Sequence, residues 1–101
     1  MKKTIKPGTL LMPLPAVMVS CGSIEKPNII TIAWTGIVNS TPPMTYISVR
    51  KSRYSHDLIA ESGEFAINLT TEALTFATDY CGVKSGRDVD KFQEMELTPQ
   101  A

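Results

Sequence analysis

Two adjacent prolines, Pro42 and Pro43, lie between two runs of strand-forming residues, Ile29 to Val38 and Met44 to Val49. Proline has no N–H to give to a sheet ladder, so Thr41-Pro42-Pro43 must leave the sheet and the flanking runs become neighbouring strands joined by a loop. The chain is therefore read as hairpin-built. Ala16 to Ser20 is another short apolar run, closed by Cys21-Gly22-Ser23, and predicts a further strand.

After these runs the pattern changes. From Arg53 to Ser62, Tyr54, Leu58 and Ile59 fall at helical spacing among polar His56, Asp57 and Glu61, and Gly63 stands where a left-handed residue ends a helix. Phe65, Ile67 and Leu69 alternate with Ala66 and Asn68, which predicts a half-buried strand. Thr70 or Thr71 is placed to cap a second helix through Tyr80, with Leu74, Ala77 and Cys81 on its inner face. Lys84 to Asp88 reads as a polar loop, and Phe92 and Leu97 as anchors for a charged tail.

Length and charge narrow the functions open to such a chain. At 101 residues it has room for one core, and 43% hydrophobic with 20% charged residues sets it with soluble globular proteins rather than disordered or membrane classes. Ten basic and ten acidic side chains cancel, so no global field favours a nucleic acid. The charges are unevenly spread: residues 1–56 carry seven Lys/Arg against Glu25, a net of +6, and residues 57–101 carry three against nine Asp/Glu, a net of −6. A basic first half suits a small anion. Lys2 and Lys3 before the apolar stretch Gly8 to Val19 imitate an export signal, but Pro13 and Pro15 interrupt it and no run reaches membrane-spanning length. Asn68-Leu69-Thr70 has the form of a glycosylation sequon inside a strand. Two cysteines, Cys21 and Cys81, are too few for a disulfide framework and have no metal-ligand spacing with His56, so a cytoplasmic location is expected.

Several strands with two short helices predict a small antiparallel barrel, mainly β, of mixed class. Four or five strands are too few to close it, so strands from a partner or from a longer chain are expected to complete the sheet.

The stretch most concentrated in chemistry is Arg50-Lys51-Ser52-Arg53-Tyr54-Ser55. Three cations, hydroxyls and the free N–H groups of a helix start can cradle a phosphate. The same residues also make an ordinary solvated turn in which Ser52 or Ser55 only caps the helix. Trp34 suits either a flat wall or core packing, and Asn39 and Ser40 suit either a binding edge or a plain turn. Cys81 reads as a buried inert thiol, and His56 as a solvent-facing helix residue.

The series Asn28 to Trp34, Asn39 to Met44, Ser48 to Ser55 and Ser62 to Leu69 closely resembles the flavin reductase-like, FMN-binding split-barrel family, its flavoredoxin-type members above all. Asp79-Tyr80-Cys81-Gly82 and Ser85 to Phe92 continue the likeness, which runs from about Pro13 through Phe92. The resemblance implies a six-stranded Greek-key split barrel that forms a homodimer, with FMN in a groove at the subunit interface. By position, it implies that Thr31, Ile32, Ala33 and Trp34 line the flavin, and that Asn39 and Ser40 meet the ring's polar edge. Val49 and Arg50 end the adjacent strand, and Arg53, Tyr54 and Ser55 hold the phosphate. It further implies electron or hydride transfer through FMN, from NAD(P)H or a redox protein. Family members run to roughly twice this length, so residues 1–101 are expected to be the N-terminal part of one such domain. A non-catalytic FMN-binding or assembly subunit of the same fold is the alternative.

Overall fold

The computed structural model describes residues 1–101. Two antiparallel sheets form its frame. Strands β1 (Val17–Gly22), β2 (Pro27–Ile32) and β5 (Ala66–Leu69) make a three-stranded sheet in the order β2-β1-β5, and β3 (Thr35–Ser40) with β4 (Pro43–Ile47) makes a separate hairpin. Helices α1 (Tyr54–Ser62), α2 (Thr75–Val83) and α3 (Lys91–Glu94) follow, with a 3-10 turn at Glu72–Leu74 leading into α2.

The first hairpin turns on Gly22, whose φ of 86° is left-handed; a Cβ there would meet the Lys26 carbonyl oxygen at 2.6 Å. Such a position favours glycine. Ser23 Oγ accepts from the Lys26 N–H at 3.1 Å and sets the turn. Pairing then runs from Gly22↔Pro27 to Val17↔Ile32.

That last pair explains a difference from the sequence reading, in which Ile29 to Val38 is one strand. The ladder stops at Val17, two residues after Pro15, and β2 has no partner beyond Ile32. The chain bends through Ala33-Trp34 and restarts as β3 in the other sheet, where the Ser48 N–H donates to the Trp34 carbonyl at 2.8 Å. The Pro42-Pro43 loop joins β3 to β4 as expected, with a bulge at Val38.

Helix ends also differ in detail. α1 starts after Arg53 without a side-chain cap, so neither Ser52 nor Ser55 caps it, and Gly63 ends it at φ 73° with its N–H on the Ile59 carbonyl. Thr70 Oγ1 donates to the Ala16 carbonyl and ties β5 to the start of β1, while Thr71 makes no side-chain cap. α3 stands where the sequence predicts a charged tail, and is capped by the Asp90 carboxylate accepting from the Gln93 N–H at 3.1 Å.

The core has two parts, one on each sheet face. Met18 and Ile29 pack under α2 and α3 with Ala77, Cys81 and Phe92, and Leu97 leans on this cluster. Val17, Val19 and Ile32 face the other way, partly covered by Ile30, Ile47, Val49 and Ile67. Only 12 residues are buried, and Ile37, Val38, Met44, Tyr46 and Leu69 stay exposed. The radius of gyration of 15.3 Å exceeds the roughly 13 Å of a closed domain of 100 residues. β2 and β5 both remain edges, which bears out a partial barrel, mainly β with short helices. No helix is long and apolar enough to cross a membrane.

Candidate functional site

A groove follows the free edge of β2. An edge strand leaves every second residue's N–H and C=O without a ladder partner, so this margin is lined with backbone donors and acceptors. Two adjoining cavities occupy it, sharing Ile30 and Arg53.

The larger, about 290 Å³, is walled by Ile30, Thr31, Ile32, Ala33 and Trp34 along the bend after β2, and by Ser48, Val49, Arg50 and Arg53 opposite. Its surface is mostly apolar side chain and strand backbone. Trp34 is 39% exposed at its mouth, with the Arg50 guanidinium 5.4 Å from the indole centroid. The Thr31 hydroxyl is turned to the helix side, donating to the Thr78 carbonyl and fastening α2 to β2.

The smaller, about 110 Å³, lies where the start of α1 meets the end of α2 and the loop after it. Arg53, Lys84, Arg87 and Lys91 all line it, and no carboxylate does. The uncapped first turn of α1 adds free N–H groups at the positive end of that helix. Ser55 is fully buried, and its Oγ accepts from Asn28 Nδ2 at 2.8 Å. Lys91 is 3% exposed and donates from Nζ to the Cys81 carbonyl at 2.9 Å. Burial lowers the Lys91 pKa below 10.5, the Cys81 and Cys21 thiols push it back up, and Arg53 presses it further down. Burial raises both thiols, with Ser55 and Lys91 opposing the rise at Cys21 and Lys91 opposing it at Cys81. Neither thiol is paired in a disulfide.

The fold thus brings Thr31, Ile32, Ala33, Trp34, Val49, Arg50 and Arg53 to one cavity, and Arg53, Tyr54 and Ser55 to the other. Asn39 and Ser40 join neither: they lie at the exposed tip of the β3–β4 hairpin, where Asn39 Nδ2 donates to the Pro42 carbonyl at 3.1 Å. Asn28 and Lys91 were missed by residue-level reading. Lys91 carried one faint signal, its place beside the core anchor Phe92 on a short helix capped by Asp90. His56 is half-buried on α1, 3.0 Å from Asp57, and outside both cavities.

Known proteins share this chain's sequence and fold. The family described as flavin reductase like domain matches residues 9–101. An uncharacterised protein of Archaeoglobus fulgidus is 33% identical over 88 residues, covering 87% of this chain and 49% of its own. The structure of flavoredoxin from Desulfovibrio vulgaris (Miyazaki F) is 39% identical with a TM-score of 0.88, over 98% of this chain and 55% of that one. An FMN-binding domain of a flavin reductases-like enzyme from Shewanella baltica is 28% identical with a TM-score of 0.76, over 81% of this chain and 44% of that one. The chain spans about half the length of each of these proteins.

Proposed function

Because the chain belongs to the flavin reductase like family, we propose that it binds FMN and forms the flavin-holding part of an oxidoreductase. The observation that carries this reading is the division of one groove into an apolar cavity edged by strand backbone and a cationic cavity free of carboxylates. A flavin mononucleotide divides in the same way, into a flat ring with a hydrogen-bonding rim and a dianionic tail. The residues present fit it.

In this reading Ile32, Ala33, Trp34 and Val49 wall the ring and exclude water, and the unpaired backbone of the β2 edge meets its rim. Arg53 stands at the junction. Tyr54 and Ser55 offer the backbone N–H groups of the first turn to the phosphate, and Lys91 faces it with a buried ammonium. The chemistry supplied by the bound group is electron or hydride transfer, with NAD(P)H or a redox protein as donor. Free, buried cysteines fit a reducing cytoplasm. A second copy would cover the β3–β4 hairpin, where Ile37 is 85% exposed, and Asn39 and Ser40 would then bear on the partner's groove.

The open sheet edges favour one other reading, a chain that holds FMN or assembles with other strands without turning over. One experiment separates them. Purified chain mixed with FMN and desalted should stay yellow with quenched flavin fluorescence, and bleaching on addition of NAD(P)H marks an enzyme. Loss of all colour on desalting would remove FMN binding and leave only assembly.

A further inference from the structure

Two parts of the chain are left uncovered by the fold and unused by the groove. The first is the outer face of α2. A surface helix turns its apolar side chains to the core and polar ones to water, and α2 does so only in part. Ala77 and Cys81 are buried against the sheet, but Phe76 and Val83 stand outward, 73% and 72% exposed. The Tyr80 ring stacks beside Phe76 with centroids 6.4 Å apart. From Glu72 to Val83 the only charges are Glu72 and Asp79, so this apolar face is edged by acid and by no cation.

The second is the segment leading into β1. Residues 1–16 are exposed throughout, Leu10, Leu11 and Met12 among them. Lys2, Lys3 and Lys6 make the segment basic, and the first acid of the chain is Glu25. Pro7, Pro13 and Pro15 keep it out of helix and sheet, so it stays an extended arm. Fifteen extended residues reach about 50 Å, against about 14 Å for the nine-residue α2. Basic and apolar on the arm thus answers acidic and apolar on the helix.

We propose that residues 1–15 are an exchange arm, and that the outer face of α2 receives the arm of a second copy. Leu10 and Leu11 would pack on Phe76 and Val83, and the lysines would meet Glu72 and Asp79. This face lies across the sheet from the β3–β4 hairpin, whose Ile47 packs on the opposite core cluster. Two features favour a second copy over the arm's own helix. Thr70 Oγ1 holds the Ala16 carbonyl at the sheet margin, and Pro13 and Pro15 just before it resist the reversal that would bring Leu11 back. Exchange is reciprocal, so each copy gives one 15-residue arm and one receiving face, about the 20–30 residues a side of a stable complex.

The test uses the full chain without flavin, so its failure leaves the FMN reading standing. Sedimentation should show a dimer. Leu11→Asp and Phe76→Asp should each raise its dissociation constant at least about tenfold. Circular dichroism should stay that of the wild type, since both side chains are exposed. Leu11→Cys chains mixed with Val83→Cys chains under mild oxidation should give a disulfide joining one of each, as Cys21 and Cys81 are buried. A wild type still monomeric at about 100 µM overturns the proposal. So does a dimer that both Asp variants leave intact, which the hairpin alone would hold. An intrachain disulfide in the double variant Leu11→Cys with Val83→Cys overturns it as well, because the arm would then lie on its own helix.

Discussion

On the helix side of the three-stranded sheet, Met18 and Ile29 are covered by α2 and α3 and keep 2% and 5% of their surface, whereas on the opposite side Leu69 keeps 80%. Leu69 stands across from Val17 in the register and Ile67 across from Val19, so the alternation of β5 points as a half-buried strand should. What differs is cover. Helices close in sequence supply one face with its second layer, and the other face waits for strands that residues 1–101 do not provide. The β2 groove straddles this division. Its cationic cavity is walled by Cys81 and Lys91 from the finished side, and its apolar cavity by Trp34 and Val49 from the unfinished one. In the proposed reading the phosphate end is built by residues 1–101 alone, and the ring end is the one that an assembly would sharpen.

The hardest test of that contrast is a pair of truncations. Phe92→Ala should cost about 3–5 kcal/mol by emptying the helix-side core, and Leu69→Ala no more than about 0.5 kcal/mol, because its side chain is already in solvent. Urea unfolding of the two variants decides it. Similar losses would mean that the faces are equally packed, and the comparison would break.

Next in size is Arg53→Ala, which removes the guanidinium at the junction of the two cavities. It should weaken FMN by about 2 kcal/mol, the scale of charge-assisted hydrogen bonds to a phosphate, and riboflavin by clearly less, since riboflavin has no phosphate. Equal losses for both ligands, measured by titration, would take the phosphate away from the start of α1.

These predictions lean unequally on what could be read from residue order. Gly63 ending a helix, the alternation of Phe65, Ile67 and Leu69, and the Pro42-Pro43 break are local signals, and each element stands within a few residues of its expected place. The division of Ile29 to Val38 at Ala33-Trp34 is not local. It follows from where β1 stops, a fact about another segment. The cationic cavity is similar: Arg53, Tyr54 and Ser55 announce themselves as a cluster, but Asn28 and Lys91 arrive from distant strands and helices once α2 and α3 dock on β2. Asn39 and Ser40 read either as a binding edge or as a plain turn, and they end β3 beside the Thr41-Pro42 turn, with Asn39 Nδ2 on the Pro42 carbonyl.

Lys91 gives a smaller, pH-dependent effect. Its folded pKa lies below 10.5, so between that pKa and 10.5 the unfolded chain binds the proton and the folded chain does not, and this group alone makes stability rise with pH. The buried thiols work in the other direction. Their folded pKa values lie above 9.0, so the stability they contribute is complete below 9.0 and fades as pH climbs through the folded values. Ligand affinity isolates the lysine. The FMN phosphate is fully ionised above neutrality, so affinity should fall by up to about tenfold as Lys91 loses its proton on the way to alkaline pH. Riboflavin affinity should not follow, and Lys91→Met should bind FMN weakly with a flat profile. A wild-type profile as flat as that of the variant would place the ammonium outside the phosphate's reach.

The smallest expected signal separates the two cavities most directly. Trp34 is the single tryptophan of the chain and lines only the apolar cavity, so emission excited selectively at tryptophan reports on that cavity. Riboflavin, which has a ring and no phosphate, should quench Trp34 on binding. Inorganic phosphate, which fills only the cationic cavity, should leave the emission within a few per cent of its starting value while still competing with FMN. In the proposed reading the two ligands would meet the same groove through different walls. Emission that responds to phosphate as strongly as to riboflavin would mean that Arg53 and Ile30 couple the cavities into a single site, and the separation of a self-sufficient phosphate end from an assembly-dependent ring end would have to be abandoned.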